Sequence, residues 1–346
     1  MNDKNKAVKE FSIDQIPEPE DLGEVIYAMM VNTNLSPINY FNDFTDQGLS
    51  PDSIGGIDTD ERGIFELDNN GHCMAMSTHA FHQHLEAYPK RATEILVSKA
   101  VRKMICSGAK PIAISSLLYH IDFSDANGQI IASGAKNGLE DAAAIFGLKI
   151  ADRKIRFDHF LGYGPLSPAI IVSIIAGIED KGKITTSEFK NKGNNIFIIG
   201  RSVDDIGSSE YLNFYHGIAD SPLPWFDIAT EFRINKAVSG LINLNLLESS
   251  NPVGKGGLFF TLLRASIPNG LGFDITTDAE IRRDSFLFGE SMGRILVEVA
   301  SENEDLFVDT LTEMRMPFFT VGHITRGEIR IDDVSFGHTG KMKSSV

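Results

Sequence analysis

Cysteine is nearly absent from this chain of 346 residues: there are two, Cys73 and Cys106. Two thiols cannot build a disulfide framework, and neither sits at a metal-ligand spacing. Tryptophan occurs once, as Trp225 between Pro224 and Phe226, and reads as a core or interface residue rather than a ligand platform. Long apolar runs are missing as well. None reaches the roughly 18 residues of a membrane span, and the charged stretch 1–10 lacks the apolar segment of a secretion signal. These absences predict a reduced, cytoplasmic protein that does not enter a membrane. Cations are in deficit, 32 Lys and Arg against 47 Asp and Glu, for a net charge of −15. That balance excludes broad nucleic-acid binding, which needs a basic surface. It leaves room for a phosphorylated ligand, because carboxylates can hold Mg²⁺ that in turn holds phosphate. There is no close short-period repeat and no low-complexity segment.

What is present is enough apolar material, 42% of residues, for the cores of two ordinary domains. The most informative stretch is 92–118. Ile95, Leu96, Lys99, Ala100, Lys103 and Met104 follow helical spacing, with apolar residues on one side and lysines on the other. Ser107-Gly108 stops that helix, because glycine takes the left-handed terminal position without steric cost. Pro111 could not continue it. Residues 112–118 are short and mostly apolar, which predicts a strand covered on both faces. A helix feeding directly into a buried strand implies a layered α/β or α+β core.

Around this stretch, 1–20 reads as a flexible arm and 22–30 as a short helix. Segments 64–67 and 72–77 read as paired strands joined by the turn Asp68-Asn69-Asn70-Gly71. An amphipathic helix is expected over 133–146, ended by Gly147. A strand starts at 148–150, and 169–178 suits a sheet interior. The texture turns polar over 179–194, which places an N-terminal domain at 21–182 and a C-terminal domain at 183–346. In the second, 195–200, 296–299 and 318–324 read as strands, and 227–247, 258–267 and 303–315 as helices.

Four segments carry a resemblance: Cys106-Ser107-Gly108-Ala109-Lys110-Pro111, Gly177-Ile178-Glu179-Asp180, Ile206-Gly207-Ser208-Ser209-Glu210-Tyr211-Leu212 and Leu287-Phe288-Gly289-Glu290-Ser291-Met292-Gly293-Arg294. With the ending around Val321-Gly322, their order and spacing over roughly residues 25–335 resemble the synthetase part of phosphoribosylformylglycinamidine synthase (formylglycinamidine ribonucleotide amidotransferase). That enzyme belongs to the aminoimidazole ribonucleotide synthetase superfamily. The resemblance covers a single repeat and is closer to the second of the family's two. It implies an α+β fold of two domains, the N-terminal one pairing its strands with another copy and the C-terminal one an α+β domain. A homodimer follows from it, since an open sheet edge seeks a partner. So do ATP and Mg²⁺ as cofactors and a synthetase or glutaminase partner subunit. The family activates an amide oxygen as a phosphate ester, which ammonia from a separate glutaminase displaces. Such chemistry needs acids for metal, glycines for close approach to phosphate, and donors for the transferred charge.

Carried over residue by residue, the resemblance names candidates. Asp58 and Asp60, in Gly55-Gly56-Ile57-Asp58-Thr59-Asp60, match the family's Gly-Asp-Asp-Ala-like loop and are the candidate metal ligands; the alternative is a solvated turn. Ser77-Thr78-His79-Ala80 stands where the family has Ser-Thr-Asp-Gly, so Thr78 is kept while a hard oxygen ligand is lost and a Cβ is gained. His79, His82 and His84 lie close together, but no cysteine or carboxylate accompanies them at a zinc spacing. At 152–159 the family's Gly-Asn-Val-Ser-Leu-Tyr-Asn-Glu-like segment gives way to cations. Arg153, Lys154 and Arg156 read as a basic edge strand or as anion contacts.

At 251–258 the family's His-Asp-Val-Ser-Asp-Gly-Gly-Leu becomes Asn251-Pro252-Val253-Gly254-Lys255-Gly256-Gly257-Leu258. Both aspartates are gone, and Lys255 replaces one. Lys255, Gly256 and Gly257 either bind phosphate directly at a helix start or are a packing turn alone. In the best-kept segment, Glu290 could contact a ribose or metal and Arg294 a phosphate, or the two form a structural pair. Glu210 carries the same two readings. The candidate nucleotide- and phosphate-binding set is thus Thr78, Glu210, Lys255, Gly256, Gly257, Glu290, Ser291 and Arg294. The family's catalytic histidine belongs to the other repeat, so no chemical role falls on a residue of this chain. Two functions are expected to compete. One is a divergent ATP-dependent carbon–nitrogen ligase homologue of purine biosynthesis that binds a nucleotide or small phosphorylated ligand. The other is a non-catalytic scaffold or regulatory subunit of a synthetase complex.

Overall fold

Apolar residues at alternate positions from 73 and in a nearly continuous run over 169–178, with helical spacing over 92–104, place strands and helices in separate layers. The structure is a computed structural model that describes residues 12–32, 35, 63–68, 70–81, 83–119, 124–156, 167–219 and 221–342. It divides into two compact units, one drawn from 1–39, 186–227 and 246–346, the other from 40–185 and 228–245.

The second of these holds a five-stranded sheet. Its strands are β1 (Gly63–Glu66), β2 (Cys73–Phe81), β3 (Lys110–Tyr119), β4 (Lys149–Arg156) and β5 (Ala169–Ile178), in the order β1-β2-β5-β3-β4. Helix α2 (Pro89–Cys106) begins with a proline, whose fixed φ suits the first helical turn. It ends before Gly108, at φ +81, where a Cβ would stand 2.1 Å from the carbonyl oxygen of Lys183. β3 and β4 are parallel and so need a crossover, which α3 (Ala126–Phe146) supplies. That helix starts at Ala126 rather than 133 and closes at Gly147 in the left-handed conformation.

The expectation that 112–118 is covered on both faces is corrected. Helix α2 and its neighbours bury Ile114, Leu118, Ile170, Val172 and Ile174 on one face. The other face presents Phe65, Met76, Ile112 and Ile175, which are 44, 44, 52 and 39% exposed. Strand register puts Met76 beside Ile175 and Ile175 beside Ala113 on that side. The run reads as fully buried because its outward residues are apolar too.

The other unit holds a seven-stranded sheet: β6 (Asn195–Ile199), β7 (Ser249–Pro252), β8 (Gly272–Ile275), β9 (Ile295–Val299), β10 (Phe318–Thr325), β11 (Glu328–Ile331) and β12 (Val334–His338). Their order is β12-β11-β8-β10-β6-β9-β7. β9 is buried at every position, and Phe197 of β6 packs 4.7 Å from Phe307, centroid to centroid. Glu298 sits inside this sheet. It accepts the backbone N–H of Lys190 and of Asn191 and the Asn194 amide. Burial pushes its carboxyl up, against the pull of those donors.

Two helices join the unit opposite to the one expected from a single cut near 182. α1 (Leu22–Met30) buries Leu22, Val25, Ile26 and Met29 in the core of the seven-stranded unit. α4 (Ile228–Asn243) packs in the five-stranded unit, where Glu231 meets Arg102 of α2 at 2.8 Å with both side chains almost fully buried.

Candidate functional site

The best-kept sequence segments converge in the seven-stranded unit on one carboxylate. Glu290 follows the short helix α6 (Arg283–Phe288), and its Oε1 accepts the backbone N–H of Glu210 at 2.8 Å and of Gly256 at 2.9 Å. Gly256 and Gly257 open α5 (Gly257–Ser266), both at positive φ. The helix start is therefore packed tightly: a Cβ on Gly257 would lie 2.6 Å from the Leu287 carbonyl oxygen, and one on Gly256 2.8 Å from Leu35. An acid at a helix N-terminus is favoured by the dipole and the donors there, and here the chain supplies its own.

The other candidates of this unit stand around Glu290. Glu210 accepts from the Asn32 amide at 3.1 Å and lies 3.6 Å from the Lys255 ammonium, which is largely exposed. Arg294 is buried and donates to the carbonyl oxygens of Phe286, at 3.3 Å, and Gly289, at 2.5 Å. It holds the backbone that Gly257 packs against. Ser291 is buried, and its Oγ has no hydrogen-bond partner among the described residues. Thus Glu210, Lys255, Gly256, Gly257, Glu290, Ser291 and Arg294 fall in one unit.

Thr78 lies on β2 of the five-stranded unit, where its hydroxyl meets that of Ser173 at 2.9 Å. His79 bonds Ser77 at 2.9 Å. Asp58, Asp60 and His82 lie outside the described residues. Among the described residues no group of three or more His, Cys, Asp or Glu is arranged to hold a metal ion. The carboxylates at hand do not fit one either, since Glu290 is engaged by two N–H groups and Glu210 by Asn32 and Lys255. Trp225 is exposed rather than core, and its backbone N–H donates to the Asp205 carboxylate. No helix among the described residues is long and apolar enough to cross a membrane.

Beside the site lies a feature that sequence reasoning missed. Residues Tyr211–Tyr215 form one π-helical turn, a geometry often found at functional sites. Tyr211 donates to Asp284 at 3.0 Å, and Arg282 grips the same carboxylate through two nitrogens. Burial and that carboxylate push the Tyr211 phenol well above its usual range. The Arg-Arg-Asp run at 282–284 was the only available signal, and it names no distant partner.

Comparison with known proteins now bears on this geometry. Residues 191–333 match the family of the AIR synthase related protein, C-terminal domain. Phosphoribosylformylglycinamidine synthase subunit PurL of Alkaliphilus metalliredigens is 25% identical over 324 residues, which cover 94% of this chain and 44% of that protein. PurL of Moorella thermoacetica is also 25% identical, over 91% of this chain and 43% of its own length. The chain thus spans about half the length of these relatives. Among solved structures, T. maritima PurL complexed with FGAR superposes with a TM-score of 0.68 at 15% identity, covering 82% of this chain and 48% of that one. E. coli HypE, a hydrogenase maturation protein, gives 0.61 at 13% identity, covering 78% and 89%. Residues 191–333 thus carry an AIR synthase-type C-terminal domain, and the findings together support a divergent, half-length PurL-like protein.

Proposed function

We propose that this chain binds a nucleotide or related phosphorylated ligand, and that it does so as a pair of copies rather than as a complete synthetase on its own. The observation that carries the reading is Lys255, an exposed cation at the start of α5 where the family pattern has a carboxylate. A lysine can meet a phosphate directly, without the metal that an aspartate requires. PurL structures similar in fold are complexed with ATP, ADP and AMPPCP, which supports ATP as the first ligand to try. ATP without Mg²⁺ at 100 times its Kd should stabilise the protein by about 2.7 kcal/mol, read as a rise in Tm. Lys255→Ala should abolish the rise. The proposal fails if ATP, ADP and FGAR all leave Tm unchanged.

Pairing rests on the uncovered face of the five-stranded sheet. Its exposed Phe65, Met76, Ile112 and Ile175 form an apolar surface, and such surfaces mark interaction sites. Ile175→Glu should convert a dimer to a monomer in sedimentation while leaving the circular dichroism of the fold intact. A wild-type protein that sediments as a monomer at tens of micromolar defeats this half of the proposal.

A second reading, a scaffold within a synthetase complex, is favoured by one specific contact. Glu290 already occupies the Gly256 N–H, so an anion arriving there must displace a carboxylate. Failure of every nucleotide to bind would favour this reading.

A further inference from the structure

The five-stranded unit contains a cavity of about 440 Å³ between α3 and the strands β3 and β4. It is separate from the residues around Glu290 and uses none of them. Its floor is apolar, formed by Leu118, Ala135, Leu139 and Ile170, all buried. Lys136, Arg153 and Lys154 also line it, and no carboxylate is among its described lining residues. β4 itself carries Lys149, Arg153, Lys154 and Arg156 against Asp152 alone, in a chain whose net charge is −15. Arg153 pairs in register with Ser116, and so lies on the same side of the sheet as Leu118 and the helices.

The charges at the mouth are not balanced one for one. Glu140 serves both cations there, in close contact with Arg153 and 3.8 Å from Lys136. Lys154 pairs separately with Asp152 at 3.0 Å. Among the described residues, one carboxylate between two partly exposed cations leaves a positive surplus above an apolar floor. A volume of this size lies in the range of small-molecule pockets, which combine an apolar body with a few placed polar groups.

We propose that this cavity binds an amphiphilic anion, with its apolar body seated on Leu118, Ala135, Leu139 and Ile170 and its carboxylate or phosphate head held by Arg153 and Lys136. The guanidinium fork suits both heads. A neutral molecule of the same shape gains the floor but not the rim. The site is independent of the nucleotide reading.

Calorimetric titration with octanoate, octyl phosphate and 1-octanol tests it. Both anions should bind at one site per chain and more tightly than the alcohol, and the tighter of the two identifies the preferred head. The double variant Lys136→Glu/Arg153→Glu should weaken both anions by about tenfold or more, as expected for a lost charge-assisted hydrogen bond, while leaving 1-octanol nearly unchanged. Ala135→Phe should fill the floor and abolish all three. Ser133→Phe, on the same wall, does so without altering a buried alanine and covers the case in which the first variant fails to fold. The proposal is overturned if the anions show no saturable binding, if charge reversal weakens the alcohol equally, or if ATP displaces octanoate.

Discussion

The two sheets are finished in opposite ways. In the seven-stranded sheet β9 is buried along its whole length, and the buried carboxylates of that unit are tied up by the chain itself: Glu290 by two N–H groups, Glu298 by three donors. In the five-stranded sheet one face is packed under helices and the other is apolar and open, ending at the almost wholly exposed edge strand β4. A half-length relative of PurL has thus kept one unit closed on itself and the other unfinished. The closed unit holds glycines that its backbone geometry requires, at Gly256 and Gly257, whereas the open unit ends in a strand rich in surface cations.

The largest effect expected from this contrast is at Gly257. Its φ is +70, and a Cβ there would stand 2.6 Å from the Leu287 carbonyl oxygen, which leaves no place for a side chain. Gly257→Ala should cost about 5 kcal/mol or more, from left-handed strain plus displacement of three crowded backbone atoms, and should be measured by urea unfolding. Gly217→Ala is the control. That glycine also has positive φ, +67, but a Cβ there meets nothing within 4 Å, so only the strain of about 1–2 kcal/mol remains. Equal losses at the two positions would mean that the α5 start is not closed in the way described.

The next effect asks whether the open unit is loose inside or only on its face. Arg102 and Glu231 pair at 2.8 Å, almost fully buried, and join α2 to α4. Arg102→Met should cost about 3–5 kcal/mol, because it leaves a buried carboxylate without its counter-charge. Arg102→Met/Glu231→Leu should recover most of that loss, since a well-packed apolar pair often matches a buried ion pair. A mild single variant would show that water reaches this interior.

Much of this architecture was legible in the sequence, and the pattern of what was not is instructive. α1 was readable to the residue, from the apolar spacing of Leu22, Val25, Ile26 and Met29. So was the stop at Gly108, because a left-handed terminus has one cheap residue. β7, β8, β11 and β12 were not: β6 and β9 are equally short but are nearly continuous apolar runs, whereas these four mix polar residues into four or five positions, too few to show alternation. The open face of β3 was hidden because apolar residues on an interaction surface look like a core. The assembly of Glu210, Gly256 and Glu290 was only half visible. Each stood in a segment with family likeness, but that a carboxylate would cap the glycine turn depends on contacts 34 and 80 residues apart.

The smallest effect separates the units by pH. His216, in the closed unit, is set edge-on against Tyr211 and Tyr215, and its Nε2 has no partner among the described residues. Burial lowers its pKa from the ordinary 6.5, with Asp284 pulling up and Arg282 pushing down. Below about pH 6.5 the unfolded chain takes a proton that the folded one resists, so this group removes stability as pH falls through that value toward its lower folded pKa. His72, in the open unit, has the opposite sign: its hydrogen bond to Asp68 raises its pKa. It favours the folded state at low pH, and that contribution fades as pH rises through the raised value. The His72 pair is exposed, so its contribution is weak. Tm measured between pH 7.5 and 5.5 should therefore fall, His216→Phe should flatten the fall, and His72→Gln should steepen it slightly. If His216→Phe leaves the slope unchanged, the aromatic cluster around the π-helical turn admits water, and the closed unit is less closed at that point than at Gly257.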